Sequence, residues 1–365
     1  MKNIQISNYK CLEKIEISNL KKVNLFTGKN NTGKSTILEA ISLFASKGNI
    51  RWIQHLLDSR GEIFNYRDET VSEETNLKLL SAFFSNRKIG FSKENIISII
   101  SDEDNLSLRF VKYVEEDVFE KDETGNDIII GKKRVIVSAD SIDNTSLGFE
   151  TKNDNNSILQ NLDRHLFRYR TSDKVIPKFH LINAKGDDIL NSATLWDKIT
   201  LSEKEDLVID ALKIIEPNIS RLSFVGDNNN YRSERYPIVK LENSPNLYPL
   251  KAMGDGINRI LNLTLALVNS DNGYLLIDEF ENGLHYSVQE KLWEIIFEIS
   301  NRLNIQVFVT THSNDSISAF AKVLSKSNEY DGSLYRLERK TGSVKTNLFT
   351  EEEIKEASLQ KINLR

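Results

Sequence analysis

The sequence predicts an α/β protein, a mixed β-sheet core interrupted by a long α+β insertion. Three observations carry this. First, a strand at Val23–Phe26 runs into Gly28-Lys29-Asn30-Asn31-Thr32-Gly33-Lys34-Ser35 and then a helix with Ile37, Leu38, Ile41, Phe44 and Ala45 at helical spacing. Second, an apolar strand at Tyr274–Ile277 ends in Asp278-Glu279. Third, another apolar strand at Ile305–Thr310 ends in Thr311-His312-Ser313. Strands alternating with helices imply a parallel sheet, and the hairpins elsewhere make it mixed.

In chain order, the first thirty residues read as short strands at Ile4–Ser7, Lys14–Ile17 and Val23–Phe26. From about Arg51 to Lys251 there is no internal repeat, and the stretch reads as an insertion of roughly two hundred residues, itself the size of a domain. Within it, Leu106–Val114 and Ile128–Val137 alternate as strands about the turn Glu123-Thr124-Gly125-Asn126-Asp127. Thr151–Ser157 is polar throughout and reads as a loop or linker. Ser202-Glu203-Lys204-Glu205 is a capping box opening a helix that Pro217 closes. Leu222–Val225 and Pro237–Leu241 are strands around a polar loop, followed by helices at Ile257–Val268 and Ser287–Ser300. A hairpin about Lys340-Thr341-Gly342 and a short helix from Glu351 complete the chain. The expected organisation is a split core, 1–50 with 245–365, around an insertion at 51–244 that offers a partner or regulatory interface. That insertion would hold β hairpins at about 106–138 and a helical part at about 158–216.

The 365 residues are 39% hydrophobic and 28% charged, enough apolar material for a sizeable core. A net charge of −5 argues against a chain-wide grip on nucleic acid or acidic lipid. The single cysteine, Cys11, excludes an internal disulfide and a multi-cysteine metal site. The N-terminus lacks a signal pattern, and the most apolar stretch, Ile260–Val268, is too short to span a bilayer. A cytoplasmic protein without membrane partners is expected.

The glycines of the first motif let the backbone wrap a phosphate, and the next helix offers the positive end of its dipole. Lys34 would reach the β- and γ-phosphates and Ser35 would give a hydroxyl to Mg²⁺. Asp278 is placed to hold the metal, directly or through water, and Glu279 to polarise the attacking water. Ligands of open α/β sheets sit beyond the carboxyl ends of the strands, so these groups would face one crevice. His312, at a third strand end, would contact the γ-phosphate. Met253-Gly254-Asp255-Gly256-Ile257-Asn258-Arg259 makes a second anion-binding helix cap. One nucleotide scarcely needs two cradles, so this cap is expected to dock on a γ-phosphate bound by another subunit.

Five segments, taken together, carry a family resemblance: Ile4 to Leu12, Gly28 to Thr36, Met253 to Arg259, Asp278-Glu279-Phe280-Glu281-Asn282-Gly283-Leu284-His285, and Thr310 to Ser313. They resemble the ABC-type ATPase superfamily in its SMC- and RecF-like branch, and more closely the AAA-family ATPases of the overcoming-lysogenization-defect (OLD) type. The resemblance implies an ABC-type P-loop NTPase fold, ATP and Mg²⁺ as cofactors, and a homodimer, or an oligomer of dimers, with two ATP molecules at the interface. Asn30, Asn31, Thr32, Gly33 and Thr36 would join Gly28, Lys34 and Ser35 around the nucleotide. Gly254 and Gly256, flanking Asp255, would match the signature turn, Glu281 to His285 the loop crossing the interface, and His312 the switch histidine. Transporter-type signatures have serine where Gly254 stands, so only backbone donors are offered here. Gln54 and Gln160 both stand as candidates for the glutamine loop.

Within this superfamily the insertion is too long for a transporter subunit, and the long heptads of classical SMC proteins are missing. OLD nucleases carry a Toprim domain after the histidine motif, and about fifty residues after His312 are too few for one. The acidic triplets Asp102-Glu103-Asp104 and Glu115-Glu116-Asp117 read as solvated charges rather than a nuclease centre. The expected function is an ATP-hydrolysing regulator that controls a separate nuclease or toxin in bacterial anti-phage defence. The alternative is an ATP-dependent DNA clamp of repair or recombination. It is motivated by Arg164-His165-Leu166-Phe167-Arg168-Tyr169-Arg170 and Lys132-Lys133-Arg134, basic runs that would equally suit an acidic protein partner or water.

Overall fold

The computed structural model describes residues 1–62, 72–92, 94–121, 127–141, 144–163, 179–184, 192–226, 235–340, 343–350, 352–354 and 356. The chain opens with β1 (Ile4–Tyr9), β2 (Leu12–Ile17), β3 (Val23–Gly28), α1 (Lys34–Ala45), α2 (Ile50–Ser59) and α3 (Glu73–Ser81). Next come β4 (Ile97–Ser101), β5 (Asn105–Lys121), β6 (Asp127–Val137), β7 (Ser146–Asn153), β8 (Ser157–Asn161) and β9 (Phe179–Ile182). Then follow α4 (Ser192–Asp197), α5 (Glu203–Leu212), β10 (Ile219–Val225), β11 (Tyr236–Leu241), β12 (Leu247–Pro249) and α6 (Asp255–Val268). The last elements are β13 (Tyr274–Ile277), α7 (Tyr286–Arg302), β14 (Gln306–Thr310), α8 (Asn314–Leu324), β15 (Gly332–Lys340) and β16 (Ser343–Phe349).

Two compact units result: Met1–Ser18 with Glu39–Val175, and Asn19–Leu38 with Ile176–Arg365. The division falls inside α1, not at the ends of the expected insertion. The first unit is an antiparallel sheet in the order β2-β1-β4-β5-β7-β8, with β6 pairing β5 off this path. Period-2 burial explains its strands: Ile4 and Ile6 point inward from β1, and Leu106, Leu108 and Phe110 from β5. Glu39 is buried against Lys10, whose Nζ donates at 2.5 Å, and against Arg60, whose Nε donates at 2.7 Å. Such a partnered carboxylate is costly to break.

The second unit carries the nucleotide motif. Its main sheet has the order β16-β15-β3-β14-β13-β9. All pairs are parallel except β15–β16, so the sheet is mixed, as expected. β13 and the centre of β14 are apolar runs and all six residues of β3 are buried, as in strands covered on both faces. Apolar residues of α4 to α8, Trp196, Leu212, Ile260, Trp293 and Phe320 among them, form one core with these strands. β10, β11 and β12 form a separate antiparallel sheet.

Several local expectations change. The polar stretch at Thr151–Ser157 is mostly the ends of β7 and β8, leaving a turn at 154–156, because backbone pairing with neighbouring strands, not apolar alternation, holds these residues in strands. The part at about 158–216 expected to be helical opens with β8 and contains β9 as well as α4 and α5. β9, only four residues of Phe-His-Leu-Ile, lies beside β13 in the main sheet. The turn 123–126, the basic run at 164–170 and Glu351 lie outside the described residues. Among the described residues no helix is long and apolar enough to cross a membrane.

β9 places a histidine in the core. His180 is buried, with Nδ1 3.0 Å from Ser270 Oγ, and burial, aided by Lys198, pushes its pKa down to about 4. The unfolded imidazole takes a proton near pH 6.5 whereas the folded one does not until about 4, so stability is lost as the pH falls between those values. The loss should total on the order of 3 kcal/mol. Urea melts at pH 7.5, 6, 5 and 4.5 should show it, and His180→Leu should flatten that part of the profile.

Candidate functional site at the carboxyl ends of the central strands

β3 ends at Gly28, where φ is +145° and an added Cβ would lie 2.6 Å from the Leu337 carbonyl oxygen on neighbouring β15. Only glycine fits there. Asn31 (φ +60°) and Gly33 (φ +94°) bend the loop, and the Thr32 hydroxyl donates to the Lys29 carbonyl at 2.8 Å. Lys34 Nζ donates to the carbonyls of Gly28 at 2.8 Å and Lys29 at 3.0 Å, so the ammonium lies across the loop that its own helix follows. Asn30 belongs to this loop, and Thr36 lies in the first turn of α1. A cavity of about 500 Å³ opens between Lys29–Thr32 and the end of β15, lined there by Arg336, Glu338 and Lys340. The neighbouring Lys340, and then Arg336 and Lys29, hold the Glu338 carboxyl below its usual range.

The parallel register brings the other motifs to the same edge. Ile277 pairs with Val309, and Thr310 with Phe26, so Asp278, Thr311 and Gly28 follow on adjacent strands. Asp278 Oδ1 accepts from Ser35 Oγ at 3.0 Å and from Thr310 Oγ1 at 2.6 Å. Glu279 adopts φ +50°, its N–H donates to Thr310 Oγ1 at 2.9 Å, and Asn282 Nδ2 donates to its Oε2 at 2.7 Å. His312 Nδ1 lies 2.8 Å from Glu281 Oε1 and 4.0 Å from Glu279 Oε1. The two oxygens of Ser35 and Asp278 fit a small hard cation next to a phosphate loop. Among the described residues no set of three or more His, Cys, Asp or Glu side chains could hold a metal ion.

Gly254, at φ +100°, begins α6 without a side-chain cap, and Asp255 and Gly256 follow in its first turn. An added Cβ at Gly256 would lie 3.2 Å from the Gly283 carbonyl, so this cap abuts the loop after β13. From the same helix, buried Arg259 donates to the carbonyls of Asn183 at 3.1 Å, Asp278 at 3.3 Å and Glu279 at 3.4 Å.

Sequence reasoning underread Arg259, Thr310, Thr311, Asn282 and Glu281. A lone charge on the apolar helix Ile257–Val268 was the available signal for Arg259. Glu281 points within its own chain, onto Thr311 Oγ1 at 2.7 Å and the His312 N–H at 2.8 Å. Gln54 falls in α2 and Gln160 in β8, both in the first unit. Both acidic triplets have structural partners. Asp102 accepts the N–H groups of Lys2 and Asn3, and Glu103 the N-terminal amine. Glu115, Glu116 and Asp117 lie opposite Arg134, Lys133 and Lys132 in the β5–β6 register.

A phosphate loop between a central parallel strand and a helix, with an acidic pair ending the strand two places away, defines a P-loop ATPase. The chain belongs to the family described as "AAA domain, putative AbiEii toxin, Type IV TA system", which matches residues 23–318. It is similar to an ATP/GTP phosphatase of Helicobacter pylori, 22% identical over 89% of this chain and 88% of that protein. It is also similar to the Retron Vc95 probable ATPase of Vibrio cholerae, 25% identical over 86% of this chain and 70% of that protein. An SMC head solved with the C-winged helix domain of ScpA aligns with TM-score 0.49 and 13% identity over 96% of this chain and 98% of that one. The fold assignment rests on the topology above, not on so distant a likeness.

The approach at Gly28 sets a test of the loop's geometry. Gly28→Ala should destabilise the protein by about 1–3 kcal/mol through strained φ and a backbone clash. Urea melts matching the wild type would show that β3 and β15 are not this close.

Proposed function

We propose that this chain is an ATP-hydrolysing regulatory ATPase of the OLD type. It dimerises around ATP and controls a separate nuclease or toxin in bacterial anti-phage defence. The supporting observation is the convergence of Ser35 and Thr310 on one carboxylate oxygen of Asp278 beside the phosphate loop. The family's description, with its AbiEii toxin, and the similarity to a retron ATPase favour the defence setting. The parts of 51–244 outside the main sheet serve as the partner or regulatory interface.

In this reading the loop amides of Gly28 to Ser35 and the α1 dipole hold the phosphates, and Thr36 extends the cradle. Lys34 exchanges its two loop carbonyls for β- and γ-phosphate oxygens, trading neutral acceptors for charged ones. Ser35 and Asp278 hold Mg²⁺, which when bound neutralises charge on the phosphates. Glu279, its carboxylate oriented by Asn282, takes the proton of the attacking water. His312 meets the terminal phosphate. Gly254, Asp255 and Gly256 offer backbone donors to the ATP of a second subunit, in a homodimer or an oligomer of such dimers. The DNA-clamp reading loses ground because Lys132, Lys133 and Arg134 face acidic partners across β5.

Two substitutions test this. Lys34→Ala should weaken ATP binding at least about a hundredfold in calorimetric titration, since the phosphate charge loses its fixed counterion. Glu279→Gln should bind ATP normally, hydrolyse it about a hundred to a thousand times more slowly, and accumulate as a dimer in size-exclusion chromatography with ATP. Wild-type turnover in Glu279→Gln would remove the general base from the scheme.

A further inference from the structure

We propose that Glu281 is the positioning residue of His312: it keeps the imidazole proton on Nδ1, so that the Nε2 lone pair is left to accept from the attacking water beside the terminal phosphate. The catalytic half of this statement rests on the hydrolytic reading above. The Glu281–His312 pairing stands on geometry alone.

The Glu281 carboxylate is largely buried, at 11% side-chain exposure, and every contact it makes in the structure reaches the strand end of β14. Oε2 accepts from Thr311 Oγ1 at 2.7 Å. Oε1 accepts the backbone N–H of His312 at 2.8 Å and lies 2.8 Å from the Nδ1 of the same residue. Two contacts therefore fix where the His312 backbone stands, and a third decides which face of the ring meets a negative charge. The Nδ1 contact is at ion-pair distance but outside hydrogen-bond alignment, so rotation of the ring, not displacement of the loop, completes it.

An imidazole nitrogen held this close to an ionised carboxylate carries the proton, because two lone pairs at 2.8 Å would repel. The neutral ring then exposes the Nε2 lone pair on its far side, an acceptor for a water proton and not for an anionic phosphate oxygen. Glu279 Oε1, at 4.0 Å, is the other acid near Nδ1, and Asn282 already holds the opposite oxygen of that group. Glu281 is thus the nearer and better-fixed partner. Carboxylates that orient histidines in this way set tautomer and direction together. The Glu281 segment and the Thr311–His312 segment are also tied by Phe280 N–H to the Thr310 carbonyl at 3.0 Å, so a shift of either strand end is felt by the ring.

The first test needs no nucleotide. In protein labelled with ¹⁵N-histidine, the His312 ring signals, assigned by their loss in His312→Gln, should show Nδ1 as the protonated nitrogen at pH 8. Glu281→Ala should move the ring toward the Nε2–H tautomer that is favoured in water. Glu281→Gln, which keeps an acceptor, should retain much of the wild-type pattern and guards against a misfolded alanine variant. A wild-type His312 protonated on Nε2 would overturn the proposal.

The second test is a double-mutant cycle on ATP turnover. Glu281→Ala and His312→Ala should each lower kcat about tenfold or more with little change in KM, and the double variant should be no worse than His312→Ala alone. Multiplying losses would mean that Glu281 acts elsewhere, and would overturn the catalytic half. Absence of ATP turnover in the wild type would instead refute the hydrolytic reading, and the ring tautomer would still decide the pairing.

Discussion

One carboxylate oxygen holds the site together. Oδ1 of Asp278 takes hydroxyl donors from Ser35, after the phosphate loop, and from Thr310, at the end of the adjacent strand. Ser35 lies 243 positions from Asp278 and Thr310 lies 32 from it, and only the parallel register of β3, β14 and β13 makes them neighbours. A charged acceptor shared by two neutral donors is stronger than either bond alone and expensive to leave unpaired. Any metal ion entering between Ser35 and Asp278 must therefore replace an existing hydrogen bond. The network is ordered before the ligand arrives, which lowers the entropic cost of binding it.

Much of this site was legible because its signals are local. The phosphate loop needs glycine where φ is positive and lysine and serine at fixed offsets, and a strand that ends in acids declares its own carboxyl end. Buried strands such as Tyr274–Ile277 were legible because unbroken apolar runs of that length suit a covered parallel sheet. β9 was not, since a four-residue strand containing a histidine carries too little pattern, and its place beside β13 is set by packing. Nor were the roles of Arg259 and Glu281. Each makes contacts set by three-dimensional neighbours, and only the type of residue at a buried position hinted at them.

The first unit shows the same limit from another side. Lys132, Lys133 and Arg134 motivate a nucleic-acid patch when read along one strand, and Glu115, Glu116 and Asp117 read as solvated charges. Laid antiparallel they face one another, residue by residue, and each cancels the field of the other. Beyond that neutral band, Phe119, Ile129 and Ile130 are more than half exposed on strands that would otherwise alternate. The charges therefore stabilise the ribbon, which exposes apolar side chains beside them.

Strain and support are balanced at the acidic turn. Glu279 holds φ +50°, a conformation that costs a non-glycine residue of order 1 kcal/mol, and it persists because its surroundings fix it. Its N–H is held by Thr310 and its carbonyl by Arg259, while Asn282 steadies its carboxylate. Arg259 also holds the carbonyls of Asp278 and Asn183 from a helix that starts at Gly254. To shift that helix along its axis would strip carbonyls from a buried guanidinium, so the glycine cap of α6 and the acidic turn move as one body. The cap and the loop after β13 are thus tied twice, through Arg259 and through the close approach of Gly256 to the Gly283 carbonyl.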